Sequence, residues 1–285
     1  MERYRGKMLR PTLVLVSGLA FTRDGGALRQ EHDIIAATVE MIHMATLVHD
    51  DVLDDAEIRR RGQTVNFLRG NEMAVMLGDY LISNAFHLCS RAGDPALNLR
   101  LGEVTNTLCE GELVQLSRRH DLGLDANTYF EIVRRKTAVL VGASCELGTR
   151  LAGGSEPEVA AMRAFGEHLG VAFQIQDDLL DLMGDEATVG KSVGRDLEKG
   201  KLTLPMILHI ASTSGADRQA AIRAIDAKDG AALRACLVRS GSIDAARAEA
   251  VRIVEDAKRG LPATRRTHSR ELLLELADRV VARDS

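Results

Sequence analysis

Two copies of the pattern Asp-Asp-x-x-Asp occur in the chain: Asp50, Asp51 and Asp54 in "HDDVLDD", and Asp177, Asp178 and Asp181 in "QDDLLDLMGDE". On a helix the first and fifth positions of such a motif share one face about one turn apart, so two carboxylates can approach the same ion. Hard oxygen donors with no His/Cys set beside them suit Mg²⁺, an ion that keeps several waters and shares its shell with phosphate oxygens. Each motif closes an apolar stretch (Ile42, Leu47 and Val48; Val171, Phe173 and Ile175), which places both at the rim of a core. One such cluster would read as a solvated helix end. Two of them, each followed by basic residues, read as a metal and phosphate site.

The basic residues are Arg59, Arg60 and Arg61 after the first motif, and Lys191, Arg195, Lys199 and Lys201 after the second. The latter lie on the Gly-rich stretch "GDEATVGKSVGRDLEKGKLTLP", which suits a flap whose cations reach a polyphosphate. His43, seven residues before Asp50, falls two turns away on the same helix face; in isolation it would read as a core or capping histidine. His49, next to Asp50, reads as a residue that packs beside the cluster. No convincing Ser/His/Asp or Cys/His constellation is present, so the chemistry does not call for a side-chain nucleophile.

These groups must be carried by helices. The 285 residues include no Trp, 3% aromatics and 45% apolar residues, mostly Leu, Ala, Val and Ile, a mixture that favours an aliphatic helical core. Long stretches between only five prolines repeat apolar residues every three or four positions. Helices are expected over Pro11 to Thr22, Asp33 to Leu53, Asn71 to Arg91, Leu97 to Arg119, Ala126 to Ala152, Glu158 to Met183 and Leu204 to Ala211, with shorter ones from Asp217 onward. The breaks, such as "RAGDP" and "GGSEP", are turn chemistry and too short for linkers, so residues 1–285 read as one domain.

A net charge of -4 with 27% charged residues gives no global field for nucleic acid. Cys89, Cys109, Cys145 and Cys236 lie far apart inside apolar stretches, which suits buried thiols in a reducing compartment. The N-terminus lacks a signal-peptide core and no apolar run approaches ~18 residues. A cytoplasmic protein is expected, with transient membrane contact left open.

Taken together, these motifs resemble the trans-isoprenyl diphosphate synthases of the all-α terpenoid (isoprenoid) synthase fold, a helical bundle around a central apolar cavity. The resemblance runs nearly end to end, from "GKMLRP" to "ELADRVVARDS". It implies that Lys7, Arg10, His43 and Arg60 hold isopentenyl diphosphate. It also implies that three Mg²⁺ ions bridge an allylic diphosphate to the two Asp motifs, with Arg59, Lys136 and Lys191 adding charge. The family's K-T pair is matched by Lys136 and Thr137, its Gln before the second motif by Gln174, and its flap lysines by Lys191 and Lys201. The allylic diphosphate would ionise, the cation would add isopentenyl diphosphate, and a proton would leave to pyrophosphate. A homodimer is also implied. Arg61 stands where the family pattern has Gly, and the sequence begins a few residues before "GKMLRP", where relatives carry a further helix.

Product length is expected to follow the depth of an apolar tunnel below the first motif. In the family, aromatic residues at the fourth and fifth positions before that motif cap the tunnel. Here they are Thr46 and Ala45, so medium or long products are expected, with a floor at Phe86 or at Leu113 and Leu116. A short-chain farnesyl or geranylgeranyl diphosphate synthase is the alternative. A terpene cyclase would not need Lys7, Arg10 and His43. A non-catalytic partner subunit would be expected to have lost an Asp motif, and a helical scaffold would leave both motifs unexplained.

Overall fold

The computed structural model describes residues 8–22, 26–59, 62–183 and 194–282. Helices α1 (Leu9–Phe21), α2 (Gln30–Leu53), α3 (Val65–Arg69), α4 (Asn71–Ser90), α5 (Pro95–Ser117) and α6 (Ala126–Val133) lead into a π-helical turn, Arg134–Ala138, and then α7 (Val139–Leu151) and α8 (Glu156–Met183). The remainder forms α9 (Arg195–Glu198), α10 (Leu204–Ser212), α11 (Gly215–Asp226), α12 (Gly230–Arg239), α13 (Ser242–Gly260) and α14 (Thr267–Val281). Among the described residues, strand structure is confined to a hairpin that pairs Ile58–Arg59 antiparallel with Gly62–Gln63.

The expected helices agree with these to within three residues, with two differences. The single helix expected from Ala126 to Ala152 is interrupted by the π turn. The hairpin, α3 and the one-turn α9 inside the expected flap were not expected, because segments of two to five residues are too short to show a period.

Local chemistry sets the boundaries. Asp94 caps α5 by accepting from the Ala96 N–H at 2.9 Å, with Pro95 in the first turn, where its missing N–H costs nothing. Asp125 caps α6 through the Thr128 N–H at 2.7 Å. The long α8 buries Val159, Met162, Phe165, Leu169, Ala172, Ile175, Leu179 and Leu182, a three-four spacing that presents one continuous apolar face. Each such side chain contributes ~1.5–3 kcal/mol of transfer free energy.

That face packs against α7, α13 and α14, while α7 also supports α1, and α2 lies along α4. At the α7–α8 seam a Cβ on Gly166 would lie 2.6 Å from the Val141 carbonyl oxygen, so glycine is what lets the two helices approach. Helix α8 is thereby held against α7, which begins where the π turn ends. The seam fixes the second Asp motif relative to the Lys136–Thr137 pair.

Candidate active site

Both Asp motifs fall in the last turns of their helices, α2 and α8, and neither last turn carries a basic residue. Carboxylates there face the negative end of the helix dipole, an unfavourable placement that a bound cation would relieve. The two helix ends open onto one cavity of about 1600 Å³ lined by Asp50, Asp54, Asp177, Asp178 and Asp181 at its polar mouth. Its deeper wall is apolar and includes Ile42, Leu47, Ile82, Leu108, Leu116 and Phe173.

The first motif divides into unequal roles. Burial pushes the Asp50 carboxyl above its usual range, opposed by the Lys136 ammonium, whose Nζ lies 3.9 Å from Asp50 Oδ2. Burial also acts on Asp54, but there Lys201 at 2.7 Å and Arg119 at 2.9 Å outweigh it and hold the carboxyl below its usual range. Asp51 departs from the ligand expectation: it is 1% exposed, does not line the cavity, and accepts from Arg59 Nε at 2.7 Å. Its backbone carbonyl also accepts from Asn66 Nδ2 at 3.1 Å, so Asp51 ties α2 to the hairpin and α3. Arg59 lines the cavity but is turned toward Asp51.

In the second motif, Asp177, Asp178 and Asp181 all line the cavity, and Asp178 is also held by protein donors. Tyr129 Oη donates to its Oδ2 at 2.6 Å and Gln174 Nε2 to its Oδ1 at 2.9 Å. Burial, reinforced by the nearby Asp196 carboxylate, pushes the Asp178 carboxyl up to about 8. Asp181 accepts from the Asp196 N–H at 3.1 Å, and its carbonyl accepts from the Gly194 N–H at 2.8 Å, so it ties α8 to the start of α9.

The π turn brings Lys136 and Thr137, adjacent in sequence, to the same cavity wall. Thr137 Oγ1 donates to Gln174 Oε1 at 3.0 Å, which links the π turn to Asp178. Lys136 Nζ lies 2.5 Å from Glu112 Oε2 and 2.8 Å from Gln115 Oε1. Burial lowers its pKa, but Asp50 and Glu112 outweigh that and raise it, so Lys136 is a held cation. A Cβ on Gly111 would lie 2.6 Å from the Lys136 amide nitrogen, so α5 needs glycine there to come this close.

Arg10, in the first turn of α1, and His43 line the cavity, as do Lys199 and Lys201, which reach the end of α2 at Asp55 and Asp54. Lys7, Arg60 and Lys191, along with Arg61, lie outside the described residues. Of the chain-length residues, Thr46 lines the cavity and Ala45 does not. Ala45 is 0% exposed and packs with Val48, Ala74 and Leu81 between α2 and α4. Phe86 is likewise absent from the cavity wall and packs against the cluster around Ile42 and Leu101; Ile82, one turn earlier on α4, lines the tunnel instead. Leu113 and Leu116, the alternative floor, line the cavity. Cys109 corrects the cysteine expectation: it is exposed, whereas Cys89, Cys145 and Cys236 are buried.

Tyr129, Glu112, Gln115 and Arg119 were not singled out from the sequence. Their contacts span 21 to 65 positions, beyond the reach of any local pattern. The run "GELVQL" did hold a signal, since Glu112 and Gln115 are three apart on one helix face.

An aliphatic tunnel that ends in carboxylates at one helix pair and cations around them defines an enzyme of the all-α isoprenoid synthase class, which moves prenyl groups off a diphosphate. A family model described as polyprenyl synthetase matches residues 2–237, and the chain belongs to that family. It is 35% identical over 286 residues to the short chain isoprenyl diphosphate synthase of Methanothermobacter thermautotrophicus, covering 98% of this chain and 87% of the relative. It is also 35% identical over 283 residues to the heptaprenyl diphosphate synthase component 2 of Geobacillus stearothermophilus, covering 98% and 86%. A crystal structure of the polyprenyl synthase of Caulobacter crescentus, complexed with calcium and isoprenyl diphosphate, superposes with a TM-score of 0.92 at 35% identity, covering 99% of this chain and 86% of that one. The protein is a prenyltransferase.

Proposed function

We propose that this chain condenses isopentenyl diphosphate with an allylic diphosphate to make an all-trans polyprenyl diphosphate of medium or long chain. The observation that carries the chain-length reading is Thr46: a small side chain, not an aromatic ring, lines the tunnel one turn below Asp50, and the cavity continues past it to Ile42, Ile82 and Leu108. The residues 1–285 act in this reading as one cytoplasmic prenyltransferase domain. No helix of the described residues is long and apolar enough to cross a membrane.

The donor chemistry fits Mg²⁺. Among the described residues no three carboxylate, thiolate or imidazole groups converge to hold an ion by themselves. Mg²⁺ is typically bound through one or two carboxylates plus waters and substrate phosphates, and Asp50, Asp54 and Asp177 offer that kind of partial shell, for three ions once diphosphate is present. Bound there, the metal supplies Lewis-acid charge to the departing pyrophosphate. Lys136, fixed by Glu112 and Gln115, adds a cation at the same place without reorganisation. Arg10 and His43, assigned with Lys7 and Arg60 to isopentenyl diphosphate, present its double bond to the allylic carbon, while the aliphatic wall excludes water from the cation. Thr137 and Gln174 orient the Asp178 end of the site.

The same reading includes a homodimer. Phe67, Leu68, Met73, Met76 and Tyr80 are exposed along α3 and α4, and Leu113 is 66% exposed although it also lines the cavity. A second copy over this face would cover the stripe and close the tunnel wall.

A short-chain product is the second reading, since one relative is named for it. Incubation with radiolabelled isopentenyl diphosphate, Mg²⁺ and geranyl, farnesyl or geranylgeranyl diphosphate, followed by sizing of the dephosphorylated products, tests both. Products longer than 20 carbons are expected. Arrest at 15 or 20 carbons would select the short-chain reading, and no product without an added second protein would select a partner-dependent subunit.

A further inference from the structure

Asp54 is ion-paired on both oxygens: Arg119 Nη2 is 2.9 Å from Oδ1 and Lys201 Nζ is 2.7 Å from Oδ2. Lys199 adds a second rung at 3.3 Å from Asp55 Oδ2. Asp50 differs: among the described residues its nearest cation, Lys136, is at 3.9 Å and committed to Glu112 and Gln115.

The two cations on Asp54 come from different segments that are tied to each other. Arg119 sits in the turn after α5, and Lys201 in the turn between α9 and α10. The His120 N–H donates to the Gly200 carbonyl at 2.7 Å, and Gly200 adopts φ +69° directly beneath the His120 ring, where a Cβ would meet it at 2.2 Å. Arg119 is only 23% exposed, and among the described residues its buried Nε–H meets no acceptor. The guanidinium is thus placed for Asp54 at the expense of one of its own hydrogen bonds.

We propose that Arg119 is a built-in counter-ion that competes with the divalent cation for Asp54. A metal ion alone must displace a charge-assisted pair from both carboxylate oxygens and finds only a partial shell. A diphosphate arriving with the metal gives Arg119 and Lys201 new acceptors as Asp54 is released, so metal and diphosphate load together. Arg119 is a positioning residue that sets this coupling; the inference rests on Asp54 being a metal ligand, as proposed above.

Calorimetric titration of Mn²⁺ into wild type and into Arg119→Gln, Arg119→Ala, Arg119→Lys and Asp54→Asn, each with and without inorganic pyrophosphate, tests it. Arg119→Gln and Arg119→Ala should bind Mn²⁺ alone roughly three- to tenfold more tightly than wild type, and should show a correspondingly smaller gain from pyrophosphate. Arg119→Lys should restore weak binding. Unchanged or weaker Mn²⁺ affinity in whichever of Arg119→Gln and Arg119→Ala keeps wild-type helical content overturns the counter-ion role, provided that Asp54→Asn loses Mn²⁺ binding. Wild-type Mn²⁺ binding by Asp54→Asn would instead remove the metal-ligand assignment on which the inference stands.

Discussion

Residues 45 and 46 are neighbours with opposite fates, and this allows a sharp test of tunnel depth. Thr46 lines the cavity four residues before Asp50, a rise of ~6 Å along α2. Each further turn adds ~5.4 Å, of the order of one isoprene unit. A phenylalanine at 46 sets its ring across the tunnel about one turn below Asp50, so Thr46→Phe should shorten the product relative to wild type while the first condensation persists. Ala45→Phe places the same ring where there is no space, among Val48, Ala74 and Leu81, which are 1%, 0% and 2% exposed. Overpacking of this kind costs about 1–3 kcal/mol. In a chain of this size that lowers the melting temperature by roughly 2–10 °C. Reversed-phase separation of dephosphorylated products and a thermal melt of each variant decide the matter. A wild-type product distribution from an active Thr46→Phe enzyme, or clean shortening by Ala45→Phe at unchanged stability, would refute the assignment of faces on α2.

Asp50→Ala or Asp177→Ala should lower kcat by at least ~10²-fold with helical circular dichroism near wild type, because each carboxylate faces the cavity and not the core; activity within a few-fold of wild type in both would remove the mechanism. Arg10→Ala should raise KM for isopentenyl diphosphate several-fold more than KM for the allylic primer, as separate initial-rate series would show; equal rises would reassign Arg10. His32 is buried against Gly148, and burial lowers its pKa below 6.5. Its Nε2 lies 3.2 Å from the Gly148 carbonyl and its Nδ1 accepts from the Arg29 N–H at 3.2 Å, a pairing that uses the neutral ring at both nitrogens. The unfolded chain therefore binds the extra proton more readily: the His32 contribution is complete above about pH 6.5 and is lost as pH falls below it. Denaturant midpoints at pH 5 to 8 should drop on the acid side in wild type and less so in His32→Asn; parallel curves would exclude His32 as the cause.

The helices were legible because apolar spacing agrees with the caps at Asp94 and Asp125 and with the Gly/Pro breaks beside them, whereas the π turn between α6 and α7 breaks no such pattern. The cavity-lining Asp50, Asp54 and Asp177 were legible because their spacing places them on a helix end beside basic residues. What the sequence could not resolve was rotation. Ala45 and Thr46 are both small, and which of them faces the tunnel depends on where α4 lies, which is a tertiary fact. Phe86 and Ile82 share a face of α4, yet the cavity reaches only one of them. Asp51 and Asp178 look like ligands in one dimension; each is claimed by a donor, Arg59 or Tyr129, that the fold delivers from elsewhere.

The π turn at Arg134–Ala138 also bears on which insertions and deletions the chain can tolerate. A π turn amounts to one extra residue lodged in a helix, so deleting a single residue between Val133 and Val139 would let α6 and α7 run on as one regular α-helix without disturbing the turns at either end. Such a deletion would be nearly invisible to a fold-level comparison. It would nonetheless remove one position from the segment that carries Lys136 and Thr137 and shift the register of what remains against α6 and α7, so that the set of side chains reaching the cavity wall would change. Relatives that differ here by one residue in length would be expected to differ in chemistry before they differ in shape.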